Sequence, residues 1–190
     1  MVAEFVAFSP EHPGFLLVPS EPRLWLAGDM AIRMQVRIDA WPEDWAYLCA
    51  KFLSQQSHEF LVRIKGDNEG RWGYGDGTGE FNALKWCPRD CITLGEWTEL
   101  VFIRRMNGNS QVYADGTLVA EGELKRQRIP ALTAEPITLC ARSDGSAQLS
   151  AAIRSFELFN GAALGHATTS LGDVIELGPW VRVGGIVHDA

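Results

Sequence analysis

The sequence predicts an all-β domain: a sandwich of two antiparallel sheets in the jelly-roll manner. Three observations carry that expectation. Apolar residues recur with period two, as where Ile32, Met34, Val36 and Ile38 alternate with Arg33, Gln35, Arg37 and Asp39. Asn107-Gly108 and Asp115-Gly116 separate such segments, and both dipeptides tolerate the positive φ that tight hairpin turns require. No stretch carries a convincing amphipathic helical stripe.

The elements follow in chain order. "MVAEFVAFSPEHPGF" has Glu4 early, no basic n-region and no long apolar core, so it does not read as a secretory signal. Nothing approaches the ~20 apolar residues of a membrane helix, and there is no Asn-x-Ser/Thr sequon. The expectation is a chain made in the cytosol, or one lacking its signal. "MAIRMQVRID" is the clearest half-buried strand. "WAYLCAKF" is an apolar run of strand length, and "EFLVRIKG" sets Phe60, Val62 and Ile64 against Leu61, Arg63 and Lys65. In "GYGDGTG", Gly73, Gly75, Gly77 and Gly79 alternate, which reads as a flexible turn between strands and not as a phosphate cradle. Trp97 then opens a stretch to Glu123 that reads as a three-strand meander, turning at Asn107-Gly108 and Asp115-Gly116. Its apolar face needs a second sheet over it. "PITLCAR" is a further strand. "AAIRSFELF" is mixed in period, but its β-branched and aromatic content and the following Gly161 favour a strand.

Composition narrows the function classes. A chain of 190 residues, 46% hydrophobic and 22% charged, suits one globular domain with a real core. The net charge of −7 and the isolation of Lys125, Arg126 and Arg128 as one short basic loop argue against nucleic acid. Cys49 and Cys140 lie in apolar runs and read as buried free thiols. Cys87 and Cys91 could close a small disulfide loop or supply half a metal site. Zinc would need two more ligands, and His12, His58, His166 and His188 are scattered.

"GEWTELVFIRRMNGNSQVYADGTLVAEG" resembles the signature of laminin G-like domains in the concanavalin A-like lectin/glucanase superfamily: a Trp before a strand, a hairpin, a Tyr-x-Asp-Gly turn, then a small-residue strand. Trp97, Tyr113, Asp115 and Gly116 carry the match. Upstream, "LLVPSEPRLWLAGDMAIRMQVRID" and "AYLCAKF" resemble the family's opening strands. Downstream, "PITLCAR" and "AAIRSFELFNGAAL" resemble its closing ones. The likeness runs from about Phe15 to Leu164, so residues 1–164 are assigned to the sandwich and 165–190 to a C-terminal extension. Cys140-Ala141 depart from the family by standing where it often has glycine.

The resemblance implies a scaffold for recognition. Laminarinase-type relatives hydrolyse glycans with carboxylates spaced Glu-x-Asp-x-x-Glu on one strand face. Glu43, Asp44, Glu59, Asp67, Glu69, Asp76 and Glu80 do not reproduce that spacing. No G-x-S-x-G, H-E-x-x-H or P-loop is present, so a hydrolase or lyase is the minor reading. The main expectation is a non-catalytic module that binds a glycan or another protein. Seven tryptophans invite ring stacking on sugars, with Trp72, Tyr74 and Trp86 as candidates around the glycine-rich stretch. Structural roles for these aromatics compete with that reading. Related domains bind calcium through rim aspartates, which singles out Asp76 and Asp144, although no dense oxygen-ligand motif is present and no cofactor is required. The alternative is a bacteriophage capsid-decoration, tail or fibre subunit. There, "VIELGPWVRVGGIVH" would dock on a neighbour through Trp180, or add an edge strand to its own sheet.

Overall fold

The computed structural model describes residues 5–9, 14–24, 26, 28–52, 58–75, 81–124, 134–142, 144–160 and 181–184; for 23, 58, 75, 81 and 181–184 it describes the backbone alone. Thirteen strands form among these residues: β1 (Val6–Phe8), β2 (Leu16–Val18), β3 (Met30–Ile38), β4 (Ala46–Phe52), β5 (His58–Lys65), β6 (Glu69–Gly75), β7 (Phe81–Trp86), β8 (Trp97–Arg104), β9 (Asn109–Ala114), β10 (Thr117–Glu123), β11 (Ile137–Leu139), β12 (Ala151–Asn160) and β13 (Val181–Gly184). Two 3-10 turns, Pro22–Leu24 and Pro88–Asp90, are the sole helical elements described. One sheet runs β1-β12-β3-β8-β9-β10 with β13 also on β12. The other runs β2-β11-β4-β5-β6-β7. Neighbouring strands are antiparallel throughout, and the two sheets make a jelly-roll sandwich, as the alternation predicted.

The core lies between the sheets. β3 supplies Ile32, Met34, Val36 and Ile38, all at 0% exposure. Leu100 and Phe102 of the neighbouring β8 extend this face, and Phe60, Val62 and Ile64 of β5 oppose it from the other sheet. Burying each such side chain stabilises the fold by about 1.5–3 kcal/mol. "AAIRSFELF" is a strand, paired along its length with β3. Two small apolar clusters form on the outer faces: Ala31, Val101, Ile103 and Phe159 on the seven-stranded sheet, and Tyr47, Ala50, Phe52 and Leu61 on the six-stranded one. Leu61 therefore shares a face with Arg63 and Lys65, as its spacing indicates, and is still buried.

The meander is observed as β8-β9-β10. Asp115 (φ 46°) and Gly116 (φ 75°) both take the left-handed region, the geometry of a two-residue hairpin with a primed turn. The Asp does more than turn: its Oδ1 accepts from Glu99 N at 2.8 Å, tying the tip back to β8. At the other turn Gly108 (φ 95°) closes a longer loop, with Gly108 N donating to Arg105 O at 2.9 Å and Arg105 N to Asn109 O at 2.9 Å. Cys140 adopts φ 64° although it is not glycine. The tight conformation at this point of the family pattern is thus kept, at a strain of about 1–3 kcal/mol. The bond from Cys140 N to Leu48 O at 3.0 Å helps hold it.

The glycine-rich stretch departs from its sequence reading. Gly73 and Gly75 belong to β6, and only 76–80, outside the described residues, remain to connect to β7. A Cβ on Gly73 would lie 1.8 Å from Asn82 O, so the glycine permits close approach of β6 and β7 and is not a hinge. In the extension, β13 pairs with Ser155–Leu158 of β12, while β1 pairs with Ala151–Ile153 of the same strand. The backbone of 181–184 thus serves as an edge strand of its own sandwich. Trp180 lies outside the described residues.

Candidate binding faces

The three aromatic candidates lie inside the sandwich. Gly70, Trp72 and Tyr74 share the inward face of β6. The register with β7 places Trp86 opposite Gly70, Leu84 opposite Trp72 and Asn82 opposite Tyr74. Exposure is 0% for Trp72 and 3% for Tyr74 and Trp86. Trp72 Nε1 donates to Ile103 O at 3.0 Å, joining the two sheets, and both indoles contact the Phe102 ring, at 5.7 and 5.6 Å between centroids. A Cβ on Gly70 would sit 2.2 Å from Trp86 Nε1, so the glycine makes room for the indole. These rings fill the core and offer no face to a sugar, which corrects the stacking reading. The sequence signal was misread because glycines that accommodate large neighbours look like loop glycines.

Of the two aspartates, Asp144 alone lies among the described residues. Asp144 sits in the β11–β12 connection, where it pairs with Arg142 and accepts from Ser146 N (2.9 Å) and Ser146 Oγ (2.6 Å). The Arg142 guanidinium, followed by the Ser146 donors, holds its carboxyl far below the usual carboxylate range. It staples a loop. Asp76 lies outside the described residues, but the preceding Gly75 is at the opposite end of the sandwich. Gly73 pairs with Leu61 and Leu61 with Ala50, whereas β11 leaves Leu139 beside Cys49 towards Ala46. Among the described residues no group of three or more His, Cys, Asp or Glu could hold a metal.

Cys87 and Cys91 are separate thiols, with Cys91 Sγ 3.5 Å from Pro88 O, and burial pushes Cys91 up to about 11. Cys49 and Cys140 are buried free thiols, as their apolar runs predicted.

A buried charge cluster, not foreseen from the sequence, closes the end of the core where β4, β5 and β8 meet the loop before β3. Lys51 and Glu59 are at 0% exposure and Arg104 at 3%. Lys51 Nζ donates to Glu59 Oε1 at 2.8 Å and to Leu24 O at 3.0 Å, and Glu59 Oε2 accepts from Leu26 N at 3.3 Å. Arg104 donates to the carbonyls of Glu59 (2.8 Å), Leu26 (2.5 Å) and Gly28 (3.1 Å), with its guanidinium 5.3 Å from the Tyr74 ring centre. Burial lowers Arg104 to about 10 and lowers Lys51 in spite of Glu59. Both carboxylate oxygens of Glu59 are thus engaged inside the protein, which makes it an anchor for the Leu24–Gly28 loop. Arg105 in "IRRMNG" gives no sign that its neighbour Arg104 points inward; only the strand register does.

Two outer faces carry the exposed chemistry. On the seven-stranded sheet Trp97 lies between two guanidiniums, Arg154 at 4.2 Å and Arg37 at 5.5 Å, with Phe5 edge-on at 5.5 Å. Beside it Arg33 bridges Glu99 (3.3 Å) and Glu157 (3.0 Å). On the six-stranded sheet Arg63, Arg71 and Lys85 are direct cross-strand partners. Arg63 stacks on half-buried Trp45 at 4.2 Å, and Glu69 reaches Arg71 (2.5 Å) and Lys85 (3.9 Å). The hairpin at Gly66-Asp67-Asn68, with Asn68 at φ 70°, fixes this register, since residues equidistant from Asp67 must pair. A shallow cleft of about 250 Å³ beside β1 is lined by Phe8, Ser9, Gln148, Leu149 and Ser150, with no ionisable group among them.

Comparison with known proteins agrees with this architecture. A laminin G-type family model, described as the concanavalin A-like lectin/glucanases superfamily, matches residues 14–167. No curated protein matches the chain. Among solved structures, botulinum neurotoxin type C, whose way into cells depends upon interaction with two ganglioside molecules, is similar at TM-score 0.63 and 16% identity, over 82% of this chain and 38% of that one. The binding domain of botulinum neurotoxin DC in complex with rat synaptotagmin II is similar at TM-score 0.65 and 13% identity, over 91% and 41%. The same binding domain in complex with SialylT gives 0.62 and 15%, over 82% and 38%. The chain therefore spans about two fifths of these structures, and at such identity the likeness is one of fold. With the family pattern matched over most of its length and the sandwich observed, the chain belongs to the concanavalin A-like lectin/glucanase superfamily, in its laminin G-type branch.

Proposed function

We propose that this domain is a non-catalytic recognition module that binds a glycan or a protein partner on a sheet face. The observation that carries the reading is the outer face of β5–β7, where Trp45, Arg63, Arg71 and Lys85 form a stiff, ordered array of long polar side chains. Flat sheet surfaces with fixed side-chain spacing suit recognition, because little ordering entropy is lost on binding. The enclosure of Glu59 supports a non-enzymatic role, since a carboxylate with both oxygens committed to Lys51 and Leu26 cannot serve a glycosidic bond. The solved neighbours in complex with synaptotagmin II or SialylT support recognition as a use of this fold.

A glycan array, run with and without calcium, tests the proposal together with a reducing-sugar and unsaturated-product assay on a polysaccharide panel. Binding without turnover is expected. Turnover of any polysaccharide overturns the non-catalytic reading. Absence of glycan binding together with self-association in light scattering favours the assembly alternative, a virion subunit.

A further inference from the structure

The fold treats its four cysteines in two ways. Cys49 and Cys140 are enclosed in the core, whereas Cys87 is exposed and Cys91 is half-buried. Cys87 and Cys91 are the N-cap and C-cap of the 3-10 turn Pro88–Asp90, on the connection from β7 to β8. Cys87 makes no side-chain capping bond, so its thiol has no part in holding the turn. Other groups hold it. Pro88 fixes φ directly after Cys87. Asp90 N donates to Cys87 O at 3.2 Å, and Cys91 N (3.2 Å) and Ile92 N (2.9 Å) both donate to Pro88 O. From the β5–β6 hairpin, Asn68 Oδ1 accepts from Arg89 N at 2.7 Å, and Asn68 Nδ2 donates to Asp90 Oδ1 at 3.0 Å. This winding folds Cys91 back over Cys87: Cys91 Sγ lies 3.7 Å from Cys87 O and 3.5 Å from Pro88 O. By ordinary bond lengths a carbonyl oxygen is ~2.4 Å from its own Cα, so the Cys91 sulfur is within about 6 Å of the Cys87 Cα. Rotation of the exposed Cys87 side chain about χ1 brings the two sulfurs towards the reach of a disulfide.

We infer that Cys87 and Cys91 are a redox-active dithiol, oxidised to an intrachain disulfide by a small-molecule disulfide of the glutathione class. The difference in burial sets the order of events. Exposed Cys87 meets the oxidant first. Its thiolate attacks one sulfur of the external disulfide, forming a mixed disulfide and releasing one small thiolate. Cys91 is held back from the oxidant by burial, which together with Asp90 and Cys87 pushes it up to about 11. It reacts inside the turn, where its neighbour is always at hand: its thiolate attacks the Cys87 sulfur and expels the second small thiolate. One external S–S bond breaks and one internal S–S bond forms. Two electrons pass to the external disulfide, and the two protons given up by the cysteines end on the two thiols released. The fixed turn favours closure, because the ends of the five-residue loop are already ordered before the bond forms. The state of the pair then follows the thiol–disulfide poise of the surroundings, while Cys49 and Cys140, shielded by the core, do not respond.

The test equilibrates the full chain in buffers of graded oxidised-to-reduced glutathione ratio, quenches by alkylation, and reads intact mass and a tryptic map. Wild type should lose two hydrogens, and trypsin should release residues 86–89 joined to residues 90–104 by the bridge. Cys91→Ser should stop at one glutathione on Cys87, and Cys87→Ser should leave Cys91 reduced. A peptide of residues 85–93, free of the Asn68 contacts, should need a glutathione ratio about tenfold or more oxidising to be half bridged, because its ends must first be ordered. Asn68→Gly keeps the positive φ of 70° and removes both contacts, and should move the folded chain towards the peptide. Circular dichroism melts establish that each variant is folded. A glutathione adduct that persists on Cys87 of the wild type overturns the pairing, as do disulfide-linked dimers or a chain left fully reduced where the peptide is bridged. Bridging in the folded chain no easier than in the peptide, or unmoved by Asn68→Gly, overturns the preorganised turn on which the inference stands.

Discussion

Charge is handled in opposite ways at two places in this sandwich. At the closed end of the core, Lys51, Glu59 and Arg104 are almost fully buried, and each is joined to the others or to a backbone carbonyl or amide of the Leu24–Gly28 loop. On the outer face of the six-stranded sheet, Arg63, Arg71 and Lys85 stand in register with like charge facing like charge. A charge removed from water persists only where partners replace the water, so the inner cluster is committed to holding the fold. Solvent tolerates the outer row at small cost, with Glu69 set against Arg71 and Lys85. The outer face of the seven-stranded sheet shows the mirror arrangement, with one cation, Arg33, set between Glu99 and Glu157.

Five measurements break or sharpen this contrast. The largest effect is expected at the inner cluster. Glu59→Gln leaves Lys51 buried without its counter-charge and should cost about 3–5 kcal/mol in urea unfolding. A loss below about 1 kcal/mol would remove the distinction between the two regions. Lys51→Met combined with Glu59→Leu should cost less than Glu59→Gln alone, because no orphaned charge remains; a double-mutant cycle reads this coupling. On the seven-stranded face, Arg33→Gln strips two carboxylates of their shared partner and should cost about 1 kcal/mol. Lys85→Gln, in contrast, should change stability by less than about 0.5 kcal/mol, since its side chain is 70% exposed. The smallest effect concerns Asp144. Its folded-state carboxyl lies below its unfolded value, so its contribution is present above about pH 4 and is lost as pH falls through the folded value. The stability difference between wild type and Asp144→Asn should therefore shrink on acidification below about pH 4, as followed by melts from neutral to acid pH.

The fold was legible because each strand repeats one rule. Ile32 to Ile38 on β3 and Phe60 to Ile64 on β5 alternate so regularly that face, register and sheet class follow. The Asp115-Gly116 turn was legible for a local reason, the positive φ its residues accept. The site was not, because it depends on pairing between strands. Trp72 and Trp86 sit inside because Gly70 and the register of β6 with β7 make room there, which no single segment announces. Lys51 meets Glu59 across a bulged stretch of β4 and β5 that shifts the expected alternation. The cationic row was within reach of the sequence, since taking Gly66-Asp67-Asn68 as a hairpin turn pairs Arg63 with Arg71 by counting alone. The role of Asp144 was hidden because its partner Arg142 is two residues away, and proximity in sequence does not distinguish a metal ligand from a loop staple.

β1 and β13 have a consequence for the connectivity of the whole chain. Both run antiparallel to β12. Val181 to Gly184 lie against Leu158 to Ser155, and Val6 to Phe8 continue along Ile153 to Ala151. The first and last described strands thus lie head to tail and act as two halves of one edge. Gly184 leads towards Val6 with a single β12 residue, Arg154, between their partners. In topological terms the chain is nearly a ring. A circular permutant that links 184 to 6 and opens at the Gly66-Asp67-Asn68 turn would keep all sheet pairings described here and turn two short stubs into one continuous strand. The edge of the seven-stranded sheet is thus the seam at which two stretches far apart in sequence, 6–8 and 181–184, meet on one strand.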